Sequence, residues 1–141
     1  MQVKITIKNY RCFSDSNPAR IVIRNGFTAF IGINNSGKSS LLKFFYEFRN
    51  MFISLSNLTN FKNSLNGQSQ NFDFPREVSD LQEVFCNTSN RDLEVHFEFI
   101  SEENENKYKS TQILDKVVLV VPRNKICKAQ IYHNNDILSR S

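Results

Sequence analysis

Residues 32 to 39 read Gly-Ile-Asn-Asn-Ser-Gly-Lys-Ser, and this octet restricts the chain more than any other feature. It fits GxxxxGK[ST], the Walker A or P-loop pattern, which works only between a buried strand and a helix. Both flanks have that form. Phe27 to Ile31 is a short apolar run that Gly32 ends, as expected of a central strand buried on both faces. After the octet, Leu41, Phe44, Phe45, Phe48, Phe52 and Leu55 recur at spacings of three and four with no Pro or Gly among them. That period predicts one amphipathic helix whose apolar stripe is ordinary core packing.

Each fixed position of the octet answers a chemical need. Gly32 lets the chain leave the strand in a tight turn, and the following N–H groups turn inward as an anion-binding nest. Asn34 and Asn35 tolerate the left-handed backbone such a loop requires, and Ser36 completes it. Gly37 lets the backbone approach phosphate with no Cβ in the way. Lys38 places a positive charge between the β- and γ-phosphates, and Ser39 offers its hydroxyl to Mg²⁺. The helix start adds free N–H groups and its positive dipole end. The expected ligand is ATP, or another purine nucleoside triphosphate, with Mg²⁺.

The rest of the chain frames this site. Val3, Ile5 and Ile7 alternate with Lys4, Thr6 and Lys8, which predicts a half-buried strand. Ile21 to Ile23 is a second, closed by Asn25-Gly26. Residues 56–75 shift to Asn, Ser and Gln and read as a long polar loop. Residues 76–85 predict a short helix with Val78, Leu81 and Val84 or Phe85 on one face. Leu93, Val95, Phe97 and Phe99 alternate with Glu94, His96 and Glu98, a clear strand. Further strands are predicted over 117–121 and 126–132. The second half therefore reads as an antiparallel sheet with one wet face. Together these elements predict an α/β lobe over 1–141 with a mixed sheet, the N-terminal part of one domain. Its parts are strands, loop and first helix (1–55), a polar insert (56–75), and a short helix with antiparallel strands (76–141).

Composition supports a folded domain and excludes several classes. The chain has 141 residues, 40% hydrophobic and 12% aromatic, enough for a core. A net charge of +4 permits DNA as a partner without arguing for it. Cys12, Cys86 and Cys127 are far apart and lack CxxC spacing, so reduced thiols are expected rather than a disulfide framework or zinc site. His96 and His133 have no partner at metal-ligand spacing. No apolar stretch is long enough to span a membrane, and the N-terminus lacks a signal peptide's unbroken apolar segment, so a cytoplasmic location is expected.

Three segments together carry a family resemblance: Ile5-Thr-Ile-Lys-Asn-Tyr-Arg-Cys-Phe13, the Phe27–Ile31 run, and Gly32 through Leu42. They resemble the N-terminal lobe of ABC-class ATPase heads of the RecF, SMC and OLD (overcoming lysogenization defect) group, which includes AAA family ATPases of anti-phage systems. The resemblance is specific over residues 3–45 and rests on element order beyond that. It implies a P-loop NTPase fold in which an antiparallel β-subdomain covers the nucleotide base. It also implies head-to-head dimerisation around ATP and a role in DNA repair or antiviral defence. Arg11 matches an arginine that lies near the phosphates in related heads, its plain alternative being a solvated turn residue. Ser40 matches the position whose hydroxyl reaches the α-phosphate.

The same resemblance marks what the residues do not supply. Val117–Val121 is followed by Pro122-Arg123-Asn124, with no Walker B acid, and Leu138-Ser139 by Arg140, with no signature motif. No catalytic acid can be assigned, and the chain resembles the first part of a larger ATPase whose remaining part would complete hydrolysis. Other P-loop classes fit less well. A GTPase needs DxxG and NKxD, and Asn124-Lys125-Ile126-Cys127 lacks the final Asp. A small-molecule kinase would carry an Arg-rich lid where the Asn/Ser-rich insert stands, and an ABC transporter subunit an early Q-loop. The alternative from another class is a nucleotide-dependent interaction module that does not hydrolyse ATP by itself.

Overall fold

Alternation in the first strand decides the layer it joins. In the computed structural model, which describes residues 2–26, 37–88, 90–100, 116–124 and 128–133, strand β1 (Gln2–Lys8) buries Ile5 and Ile7 and leaves Lys4, Thr6 and Lys8 on the other face. It pairs with β2 (Ala19–Ile23) on one side and β4 (Leu93–Ile100) on the other. Beyond β4 come β5 (Lys116–Val121), β6 (Lys128–His133) and the two-residue β3 (Gln70–Asn71). The sheet order is β2-β1-β4-β5-β6-β3, and every described ladder is antiparallel.

Strand β1, from the first part, is hydrogen-bonded into the same sheet as β4 from the last. The strand expected over 27–31, the one that would make the sheet mixed, lies outside the described residues. The single wet face is also only partly so. Glu94, His96 and Glu98 share the outer face with Lys4, Thr6 and Lys8, yet Val118 and Val120 on that face are buried.

The inner face carries Ile5, Ile7, Leu93, Val95, Val117, Leu119, Val121, Ala129 and Ile131 against three helices. Helix α1 spans Lys38–Glu47, α2 Arg49–Ser56 and α3 Leu58–Leu65. The helix expected to run unbroken to Leu55 is interrupted at Phe48, although Phe48 N–H still donates to the Phe44 carbonyl and Phe52 N–H to that of Phe48. Neither Pro nor Gly is the cause. Arg49 stacks on the Tyr46 ring and donates to the Tyr46 carbonyl, drawing an acceptor out of the helical ladder.

Phe44 and Phe48 are fully buried, and their rings meet Tyr10, Phe72 and Phe74. Burying each such ring contributes about 2–3 kcal/mol.

The polar insert is not the long loop its composition suggests. Asn57 caps α3 by accepting from the N–H groups of Thr59 and Asn60. Phe61 and Leu65 then pack on the core. The helix expected over 76–85 contracts to one 3-10 turn, Leu81–Val84, capped by the Asp80 carboxylate.

Candidate functional site

The site is built around the turn that follows β1. Asn9 and Arg11 have positive φ, 63° and 48°. Tyr10 and Phe13 exchange backbone hydrogen bonds of 3.1 and 2.8 Å across the turn. Its outer side is clasped by residues 84–86, where Arg11 N–H donates to Val84 and Cys86 N–H to Asn9, both at 3.0 Å. The buried Asn9 amide donates to the Asp15 carboxylate and the Asp92 carbonyl. Asn tolerates the left-handed conformation that this position demands.

The turn reaches α1 at both ends. Tyr10 is fully buried, edge-on to Phe44, and its hydroxyl donates to Glu47 Oε2 at 2.8 Å. Arg11 donates through Nε to the Tyr10 hydroxyl and through Nη2 to Glu47 Oε1. Burial, reinforced by the hydrogen bond and charge of Glu47, pushes the Tyr10 pKa well above the ordinary tyrosine range. For Arg11, burial works against the charge, but the bonds to Glu47 and Tyr10 outweigh it and its pKa rises.

At the other end, Cys12 and Phe13 lie on Gly37. A Cβ at Gly37 would stand 3.0 and 3.1 Å from Phe13 ring carbons and 3.8 Å from Cys12 Sγ. Gly37 has φ 88°, and α1 begins immediately after it.

Lys38, Ser39 and Ser40 are therefore the first three helical residues, where backbone N–H groups have no intrahelical acceptor. The first turn carries no acidic residue to neutralise the positive helix end. Ser39 is exposed, while Lys38 and Ser40 are half-buried. Gly32, Asn34, Asn35 and Ser36 lie outside the described residues. Of the residues singled out from the sequence, the fold thus brings Gly37, Lys38, Ser39 and Ser40 together with the turn that carries Arg11. The Arg11 guanidinium itself is engaged with Glu47, the last residue of α1.

Beside this junction opens a cavity of about 690 Å³, lined by Arg11, Cys12, Glu83, Phe85, Asn87 and Arg123 among others. Arg123 lies over the Phe85 ring at 5.0 Å and donates to the Cys86 carbonyl at 2.8 Å. Sequence reasoning missed Glu47 and Arg123. Glu47 was detectable as a carboxylate within the apolar spacing of Phe44, Phe48 and Met51, a place that demands a partner. Arg123 had no such signal, because its relation to the site depends on β5 pairing with β4.

Residues 1–137 match the family model described as AAA ATPase domain. The chain belongs to the AAA ATPase domain family. No curated protein matches it. Membership makes this a nucleotide-binding domain of an ATPase, and such domains usually use Mg²⁺. The residues present fit such a ligand. Gly37 supplies the left-handed backbone at the start of α1, and Ser39 stands exposed at a helix start free of acids. Among the described residues no helix is long and apolar enough to cross a membrane.

Proposed function

We propose that this AAA ATPase domain binds Mg-ATP through a Walker A loop running from Gly32 to Ser39, as the N-terminal part of a RecF/OLD-type ATPase head. The observation that carries the reading is Gly37, held left-handed under Phe13 with Lys38-Ser39-Ser40 opening α1 behind it. In this reading the N–H groups at the helix start and the Lys38 ammonium hold the β- and γ-phosphates. Ser39 ligates the magnesium, and Ser40 reaches the α-phosphate. The bound ion supplies charge neutralisation at the transferring phosphoryl group. The nucleoside end then lies in the cavity beside Cys12, under cover of residues from the antiparallel sheet.

A second apolar stripe on the helices supports a larger head. Leu42, Tyr46 and Ile53 share the face turned away from the sheet and are 55%, 47% and 66% exposed. A further layer of the head, carrying the acids for hydrolysis, would cover them, with head-to-head dimerisation around ATP. In this reading the work is DNA repair or anti-phage defence, in the cytoplasm, with DNA as a possible partner.

Calorimetric titration tests the reading. The chain is expected to bind Mg-ATP, and Lys38→Ala to weaken that binding by about tenfold to a hundredfold, the loss of charge-assisted hydrogen bonds to phosphate. A parallel Mg-GTP titration reports base preference. Saturating Mg-ATP is also expected to slow alkylation of Cys12, which is exposed and touches Gly37, while the buried Cys86 stays unreactive throughout. A folded chain that binds no ATP would sink the proposal and bring forward an interaction module whose loop binds no nucleotide.

A further inference from the structure

Strand β2 ends the sheet: among the described residues it has β1 on one side and no strand on the other. Ile21, Val22 and Ile23 are β-branched, and Val22 and Ile23 are exposed. Edge strands are commonly blunted by an internal proline, a bulge or an inward-pointing charge. None of these interrupts β2. Its register on β1 runs unbroken from Ile7↔Ala19 to Val3↔Ile23, and Pro18 stands just before the strand. Its one charged residue, Arg20, lies opposite Thr6 on the outer face. Such an edge is a template for a further strand.

We propose that this edge is a self-association surface, on which β2 pairs antiparallel with β2 of a second copy of this chain about a two-fold axis perpendicular to the sheet. Such an axis keeps outer face beside outer face, so only registers that oppose residues of the same face are open. Three of them bring most of the strand together. Centring on Arg20 sets the two Arg20 guanidinium groups against each other, and centring on Val22 sets each Arg20 against Arg24 of the second copy. Centring on Ile21 avoids like charges. Ile21 then meets itself and Ala19 meets Ile23 on the inner face, while Arg20 meets Val22 on the outer. There the arginine stem lies along the valine and its charged head stays in water. The pairing uses up the β2 edge of both copies and joins two six-stranded sheets into one. It involves none of residues 37–40 and needs no nucleotide, which sets it apart from head-to-head dimerisation around ATP.

Sedimentation equilibrium of the 141-residue chain without nucleotide tests the proposal. A dimer is expected at a chain concentration on the order of 100 μM, dissociating on dilution, as suits a small interface. Val22→Lys sets a lysine against Arg20 at two places and is expected to weaken the dimer about tenfold. Val22→Glu sets a carboxylate there instead and is expected to tighten it by about the same factor. Adding Arg20→Glu to the Val22→Lys chain makes both pairs attractive again and should restore the dimer, which separates the register from a loss of folding. Should Val22→Lys fail to fold, the tightening by Val22→Glu carries the same test. A chain that stays monomeric at that concentration overturns the proposal, as does a dimer that forms only with Mg-ATP. A dimer indifferent to either charge at residue 22 overturns this surface, whatever other surface forms it. None of these results bears on the P-loop reading, which the ATP titration tests separately.

Discussion

Glu47→Ala is expected to destabilise the domain by about 3 kcal/mol, measured as the shift in urea or thermal unfolding. Glu47 is 4% exposed and accepts hydrogen bonds from both Tyr10 and Arg11. Removing it strands two donors. The Tyr10 hydroxyl is fully buried and loses its acceptor, at a cost of about 1–3 kcal/mol. Breaking a buried ion pair by deleting one partner costs about 3–5 kcal/mol. The Arg11 side chain is 22% exposed, so water recovers part of that loss, and the total stays near the lower figure. Glu47→Gln keeps the shape and one acceptor, so roughly half the effect is expected. A double-mutant cycle with Arg11→Gln isolates the pair, and a coupling above about 1 kcal/mol is expected for groups in direct contact. A Glu47→Ala protein that unfolds at the wild-type midpoint would show that the triad contributes nothing.

The triad also shows where sequence reading reached its limit. The alternations of β1 and β4 were legible because a strand buried on one face writes its period directly into the chain. The helix after Lys38 was legible for the same reason. Helix α3 was not, since Leu58, Phe61 and Leu65 are diluted by Asn, Thr, Lys and Ser, and composition spoke for a loop. Its cap, Asn57, was the available signal. The short helix expected over 76–85 shrank to one turn, and the residues that end it, 84–86, clasp the Tyr10 turn.

At the site, the Gly37-Lys38-Ser39 spacing could be read because local chemistry sets it. The partner of Arg11 could not, because Glu47 comes within reach only when β1 has docked beneath α1. Non-local pairing explains Arg123 as well. It arrives beside Phe85 through the β4–β5 register, in which Leu93 faces Val121.

These contacts give the opening turn one mechanical role. Phe13 and Cys12 hold the beginning of α1 at Gly37, and Tyr10 and Arg11 hold its end at Glu47. A helix of 10 residues spans about 15 Å, and one short turn fixes it at both ends against the sheet. In the proposed function, the position of the Lys38 ammonium and the Ser39 hydroxyl is therefore set by the turn as much as by the loop before them. Loosening either contact should cost binding as well as stability.

Gly37→Ala tests that role at its tightest point, and both readouts are expected to fall. At φ 88° an alanine costs about 1–2 kcal/mol relative to glycine. The new Cβ would also sit 3.0 Å from the Phe13 ring, which must move, while the backbone bonds between Tyr10 and Phe13 resist that movement. A total near 2 kcal/mol is expected, with Mg-ATP affinity reduced by at least about tenfold as the helix start shifts away from the turn. Phe13→Ala in the same chain removes the collision and leaves the backbone penalty. The double mutant should then regain about 0.5–1 kcal/mol relative to additivity, the range seen for residues in contact. Coupling of that sign would tie the effect to the packed ring and not to glycine's backbone freedom alone. If the loss is additive but ATP binding still falls, the conformation of Gly37 sets the site and Phe13 only covers it. If Gly37→Ala melts and binds ATP like the wild type, the turn does not position the helix start and the proposed placement of Lys38 and Ser39 fails.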